Sequence, residues 1–495
     1  MKIRILILIL LLASLSGYSK NIKPNNVQKF INNQLKKDTL FQNAIVGIMA
    51  IDSKGNTIAE WNSNLPLLTA STMKTITTGC GLYYLGTDYK FSTKIAYAGE
   101  IKNGILNGDI YIEGGGDPTL GSKDTVAFAI DSIFGIWRDA IKKCGINKIN
   151  GNIIVDDSYF QREPIPDSWE WGNLGPSYGS SPSGLAFCEN MQYFKLTPGK
   201  HIGDKASISI IYPMLPGLNV INEVYTAEPK SGDQSWYYVQ DMSMKSKYTG
   251  TIPIDRDSII SDNSNLYPYL SCGFEFKHFL LNNEIEVYGG VIDIMETETN
   301  PQRHYIAETY SPELWKIVNV TNRISNNFYA ETILKAIGKK NTGIGNNSNS
   351  TDAIKTILKD SLNINTKGFN NADGSGLSRR DQVTPAFFCR YYTKMESMPF
   401  FNSFFESFPI SGGPGTLKNV LKNADPKLRK KIHAKSGSLS GVRCYAGYVE
   451  ENSNCKNGKK DLIKFAILVN NYATPTSKMQ PKIEQFLLQL AKYQK

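Results

Sequence analysis

Apolar and polar positions along this chain switch between two periods, and the switches mark its elements. Asn26 to Lys37 spaces its apolar residues as a helix does, and Ala44 to Asp52 has the apolar character of a strand. Gly55-Asn56 suits a turn, and Thr57 to Trp61 is the returning strand. That hairpin leads into a helix predicted over Leu68 to Leu85, where Leu68, Met73, Ile76, Cys80 and Leu82 form a mostly apolar side. At the far end Lys431 to Ser438, Val442 to Glu450 and Leu462 to Asn470 read as strands, and Lys478 to Lys492 as a closing helix. Between these halves, Ser92 to Arg303 carries short Ile/Val/Tyr runs broken by glycine, proline, asparagine and aspartate. Asp109 to Glu113, Gly151 to Val155, Ser207 to Tyr212 and Glu284 to Tyr288 are its predicted strands, which implies small β-rich domains.

The first residues change where the chain is expected to work. Lys2 and Arg4 precede an apolar run from Ile5, followed by the small residues Ala13, Ser14, Ser16 and Gly17. This is the pattern of a signal peptide over residues 1–19, too short to span a bilayer as a stable helix, with an uncleaved anchor as the alternative. No cysteine follows that run to carry a lipid, and no later stretch is long and apolar enough for a transmembrane anchor. The mature chain then divides into a first part of the main domain (20–91), the insertion (92–303) and a second part (304–495).

Composition narrows the chemistry. Seven cysteines are too few for a disulfide scaffold, and Cys444 and Cys455, the nearest neighbours, fit a bridge or two free thiols. The formal charge of +10 falls to about +8 without Lys2 and Arg4, which suits anionic envelope polymers. Its lysines are scattered, without the basic stripe that a nucleic-acid partner needs. His201, His278, His304 and His433 lie far apart with no metal-ligand spacing, so neither a metal nor another cofactor is expected.

Three short motifs carry the candidate chemistry: Ser71-Thr72-Met73-Lys74, Ser325-Asn326-Asn327 and Lys435-Ser436-Gly437. A serine hydroxyl is a poor nucleophile until a base takes its proton, and a lysine three residues on lies on the same helix face. Alone, Ser71 and Lys74 read more readily as a helix start and an ordinary surface lysine. Serine acylases, however, combine such a pair with Ser-x-Asn and Lys-Thr-Gly, in that order. Ser261-Asp262-Asn263 matches the second motif more literally, but it falls in a polar stretch, Ser261 to Asn265, expected to be a loop. Ser325-Asn326-Asn327 instead precedes a helix-like run from Phe328 to Leu334.

With these motifs the chain resembles the D-alanyl-D-alanine carboxypeptidase/endopeptidase family of low-molecular-weight class C penicillin-binding proteins, peptidase family S13. The resemblance extends over nearly the whole mature chain. It includes Leu85-Gly86-Thr87-Asp88-Tyr89-Lys90-Phe91, Gly114-Gly115-Gly116-Asp117-Pro118-Thr119-Leu120, Gly151-Asn152-Ile153-Ile154-Val155-Asp156-Asp157-Ser158, Asn371-Ala372-Asp373-Gly374-Ser375-Gly376-Leu377-Ser378 and Gly413-Pro414-Gly415-Thr416-Leu417. It implies an α+β fold: a penicilloyl-serine transferase (β-lactamase-like) domain with an antiparallel sheet flanked by helices, interrupted by a large β-rich insertion of two nested domains.

The activity so implied is a periplasmic serine-type D-Ala-D-Ala carboxypeptidase, also a DD-endopeptidase, acting on peptidoglycan stem peptides and acylated by β-lactams as covalent inhibitors. Ser71 would be the nucleophile and Lys74 its base, with the nearby cation Lys435 and partial burial lowering the Lys74 pKa. Ser325 would relay a proton to the leaving D-alanine, and Asn327 would hold the substrate's peptide amide. Lys435, Ser436 and Ser438 would face its carboxylate, Gly437 leaving room for close approach. The amides of Ser71 and Ser438 would form the oxyanion hole. The Asp373 to Gly376 loop is either a tight turn or part of the cleft wall. Two positions depart from the family pattern. Ser436 replaces the commoner threonine, and Asn173, in Trp169-Glu170-Trp171-Gly172-Asn173, stands where an aspartate is associated with the amino group of the stem's diamino acid. Asparagine offers no charge to an ammonium, although Glu170 would compensate. A compact β-lactamase-like hydrolase is the nearest alternative, disfavoured by the 254-residue separation of Ser71 from Ser325. A non-enzymatic wall-binding protein is the more distant one.

Overall fold

A computed structural model describes residues 25–298, 301–451 and 461–493. The expected signal segment and Cys455 lie outside them. Five antiparallel strands form the central sheet, in the order Ile432–Leu439, Val442–Glu450, Leu462–Asn470, Ile45–Ile51, Thr57–Trp61. The two ends of the chain are thus one sheet, with Ile45 opposite Asn470 and Ile51 opposite Lys464. Leu462–Asn470 lies at the middle and is buried along its full length, because both faces of the sheet are covered. On one face Val46, Ile48, Ile463 and Phe465 pack with the helices Asn26–Lys37 and Thr476–Lys492. On the other, Cys444, Ala446, Ala466 and Leu468 pack with helices that include Met73–Tyr84, Asn327–Thr342 and Pro385–Glu396.

The helix predicted from Leu68 starts later than the apolar pattern suggests. Leu67–Leu68 is a short strand, Ala70–Thr72 a single 3₁₀ turn, and the α-helix runs Met73–Tyr84. Ala70 has a φ of 44°, in the left-handed region. Two glycines from distant segments make that turn possible by lying against it. A Cβ on Gly376 would sit 1.9 Å from the Ala70 carbonyl oxygen, and one on Gly437 would sit 2.7 Å from the Thr69 carbonyl oxygen and 3.0 Å from the Ser71 amide nitrogen.

In the insertion, a seven-stranded sheet includes Ser92–Lys102 and Ile105–Gly114, and the helices Ile130–Lys143 and Pro268–Asn282 share its core. The strand His304–Tyr310, beyond the expected boundary at residue 303, also pairs with Ser92–Lys102, so this sheet reaches further along the chain. Two three-stranded sheets, formed between Met191 and Ser264, enclose a separate core around Phe194, Val224, Tyr237 and Tyr248. Ser261-Asp262-Asn263 is a strand there rather than a loop. These residues pair with Phe194, Tyr193 and Gln192, and Asn263 is buried against the Tyr248 hydroxyl. Cross-strand partners far away in sequence override the local turn chemistry. The segment expected as a strand over Glu284 to Tyr288 pairs only at Glu286–Val287.

Candidate functional site

Ser71, Lys74, Ser325, Asn327 and Lys435 come together where the 3₁₀ turn, two helix ends and the edge strand Ile432–Leu439 meet. The chain reaches Ser325 by ending the helix Leu314–Ile324 with that residue in the left-handed conformation, φ 67°. Asn326 then caps the helix Asn327–Thr342, its side chain accepting the Tyr329 amide at 3.0 Å. Capping of this helix thus falls to the middle residue of the motif and leaves the Ser325 hydroxyl to the site.

Lys74 is fully buried, and its Nζ touches three oxygens: Ser71 Oγ at 2.9 Å, Asn327 Oδ1 at 2.6 Å and the Ser375 carbonyl at 2.7 Å. The last two can only accept. A neutral lysine has two N–H bonds and one lone pair, so satisfying both acceptors aims the lone pair at the serine hydroxyl. Burial lowers the Lys74 pKa to about 8, against the upward pull of Asp373, Glu331 and Asp381. This corrects the expectation that Lys435 depresses it. Between two buried cations the one that loses its proton more easily takes the repulsion, and that one is Lys435, pushed well below the usual lysine range by burial, then by Lys74 and Arg443.

Lys435 Nζ donates to Ser325 Oγ at 2.8 Å and to the Ser436 carbonyl at 2.8 Å. Ser436 is buried beside it, while Ser438 is exposed at the end of the strand. Arg443 stands opposite Ser438 on the neighbouring strand. Both ends of the Asn327 amide are engaged: Oδ1 accepts from Lys74, and Nδ2 donates to the Tyr178 carbonyl at 2.8 Å. To hold a substrate amide, Asn327 must release one of them.

The Asp373 loop is a buried scaffold rather than an exposed turn. Asp373 accepts the amides of Ser375, Gly376 and Ser378 and the Trp169 indole N–H. Asn173 is half-buried; its Nδ2 lies 3.4 Å from Glu170 Oε2, and its Oδ1 accepts the Tyr178 hydroxyl at 3.2 Å. Glu170 is paired with Arg379 at 3.0 Å, so it compensates for the missing aspartate only by giving up that partner.

Two charged residues beside this cluster had not been singled out from the sequence. Arg443 faces the Lys-Ser-Gly strand. Glu331 lies one turn after Asn327 on the same helix, an i, i+4 spacing that puts both on one face.

Relatives carry the same architecture. The chain is 26% identical over 468 residues to the D-alanyl-D-alanine carboxypeptidase of Actinomadura sp. strain R39, covering 89% of this chain and 80% of that one. It is also 26% identical over 455 residues to the D-alanyl-D-alanine carboxypeptidase DacB of Haemophilus influenzae, covering 87% and 86%. The crystal structure of penicillin binding protein 4 from Haemophilus influenzae superposes with a TM-score of 0.79 at 24% identity, over 94% of this chain and 99% of that one, which shows a common fold. The model of the D-Ala-D-Ala carboxypeptidase 3 (S13) family matches residues 27–492, nearly all that is described, and the chain belongs to that family of serine-type D-Ala-D-Ala carboxypeptidases.

Proposed function

We propose that Ser71 is the nucleophile and Lys74 the general base of this carboxypeptidase, working on the terminal D-alanyl-D-alanine of peptidoglycan stem peptides. The observation that carries the reading is the Lys74 Nζ environment, with two obligate acceptors and the Ser71 hydroxyl as its third contact. Ser71 Oγ attacks the carbonyl carbon between the two D-alanines as its proton passes to Lys74 Nζ. The resulting oxyanion is held by the amides of Ser71 and Ser438, a role supported by the close seating of Gly437 on the Ser71 amide. On collapse the C–N bond breaks and the leaving amine takes the Ser325 proton; the proton that Lys74 received from Ser71 then restores Ser325, which leaves Lys74 neutral again, while neutral Lys435 orients the Ser325 hydroxyl across their 2.8 Å contact. Water then cleaves the acyl-enzyme, with Lys74 again as base. Lys435, Ser436 and Ser438 bind the terminal carboxylate.

The same centre acts on crosslinks when the leaving amine belongs to a second stem, whose diamino acid passes Asn173 and Tyr178. β-Lactams acylate Ser71 because they mimic the terminal dipeptide. The basic and apolar residues 1–19 direct export, which places the activity in the periplasm. Among the described residues no helix is long and apolar enough to cross a membrane. The test is mass spectrometry of protein labelled with a penicillin, followed by digestion with pentapeptide and crosslinked muropeptides. A single adduct on Ser71 and release of D-alanine are expected; an adduct at Ser261, or none, overturns the assignment.

A further inference from the structure

We infer that Glu331 is a positioning residue for the Lys74 base, holding the Ser375 carbonyl in place as one of the two acceptors that aim Lys74 Nζ at Ser71; this rests on the proposed roles of Ser71 and Lys74. Glu331 is buried on the helix Asn327–Thr342. Its carboxylate takes the Gly374 amide at 3.0 and 3.1 Å and the Ser375 amide at 2.7 Å. The carbonyl of Ser375, on the opposite side of the same residue, receives Lys74 at 2.7 Å. One helix therefore supplies both orienting contacts of the base: Asn327 directly, and Glu331 one turn on through the loop.

Glu331 also acts on Lys74 through its charge. Lys74 is faced by Glu331 from this helix, by Asp373 and Asp381 from the loop, and by Lys435 from the edge strand. Burial and the Asp373 charge raise the Glu331 carboxyl above the ordinary range, and the Gly374 and Ser375 amides it accepts favour the carboxylate against them. When Lys74 takes the Ser71 proton, a carboxylate at Glu331 opposes the new positive charge at a fixed distance, with no water to rearrange. Glu331 needs no contact with substrate for this.

Glu331→Gln keeps the shape but has one acceptor oxygen for amides that now use two, and no charge. In stopped-flow acylation by a chromogenic cephalosporin, normalised to titrated active sites, the acylation rate constant is expected to fall about 10- to 100-fold, the scale of a misplaced reacting group. The dissociation constant of the noncovalent complex stays near wild type. The acidic limb of the pH profile moves to lower pH, since the Lys74 ammonium loses an anion that stabilised it. Glu331→Asp keeps the charge and loses reach, so it slows acylation with the limb left in place. Should Glu331→Gln not fold, the inference stands or falls on Glu331→Asp by that rate. A lowered melting temperature with wild-type acylation per active site and an unmoved limb would overturn it. Failure of the wild-type protein to acylate would instead reject the Ser71 reading on which it rests.

Discussion

Two lysines are buried side by side in this site, and their surroundings differ. Lys74 is backed by Glu331, Asp373 and Asp381; Lys435 meets Arg443 and Lys74 and no opposing carboxylate among the groups that set its pKa. Burial alone would strip both of protons, and in the first pocket the acids return part of what burial removes. The difference teaches how one cleft separates two jobs. A lysine held near 8 can accept a proton at neutral pH and give it back, whereas one driven much lower stays neutral beside Ser325 as a polariser and relay.

The most drastic way to break the comparison is to remove one lysine at a time. Lys74→Ala is expected to slow acylation by about 10²- to 10⁴-fold, the worth of a general base, measured by stopped flow with a reporter β-lactam. Lys435→Ala should act mainly on substrates that need leaving-group protonation or carboxylate capture, so its penalty is larger for a D-alanyl peptide than for a β-lactam. Equal losses on both substrates would merge the two roles.

Titration probes the same difference without mutation. With Lys74 near 8 and active only when neutral, the acylation rate should rise about tenfold per pH unit below that value and level off above it. A flat profile from pH 5 to 9 would show that Lys74 is not the base. Gly437→Ala tests the packing that supports the pair: its methyl meets the Thr69 carbonyl and the Ser71 amide, an overpacking cost of about 1–3 kcal/mol, visible as a lower melting temperature together with slower acylation. The smallest effect is expected from Arg443→Met, which takes a repelling charge away from Lys435 and raises its pKa. The shift would appear in the pH dependence of D-alanine release and leave the acidic limb of β-lactam acylation in place.

The residues proposed as catalytic were visible in sequence because each stands in a short motif with its own local chemistry, and the fold brings them together. The strands Val442–Glu450 and Leu462–Asn470 were legible to the residue, since a buried central sheet leaves long apolar runs. What was not legible depends on contacts between distant segments. The left-handed Ala70 ahead of Ser71 is possible because Gly376 and Gly437 leave space there. Ser261 to Asn263 resembles a turn until Met191–Thr197 pairs with it. Partial burial of Lys74 was foreseeable, but its full extent is a property of the assembled site, and the acids that oppose it, Asp373, Glu331 and Asp381, lie outside the three motifs. Glu331 looked like one more polar residue of an apolar helix, and only the loop around Gly374 gives its charge a use.

The pairing of Ile45–Ile51 with Leu462–Asn470 has a further consequence, in time rather than space. The segment that carries Ser71 is among the first to be synthesised, yet its sheet partner and the glycine that seats its turn are among the last. Such long-range pairing is slow to form, because the intervening chain must be ordered before the contact is rewarded. A nascent or truncated chain has the nucleophile in its sequence without the pocket that arms it. With Ser71 as the proposed nucleophile, reactivity would appear only once the whole polypeptide is complete.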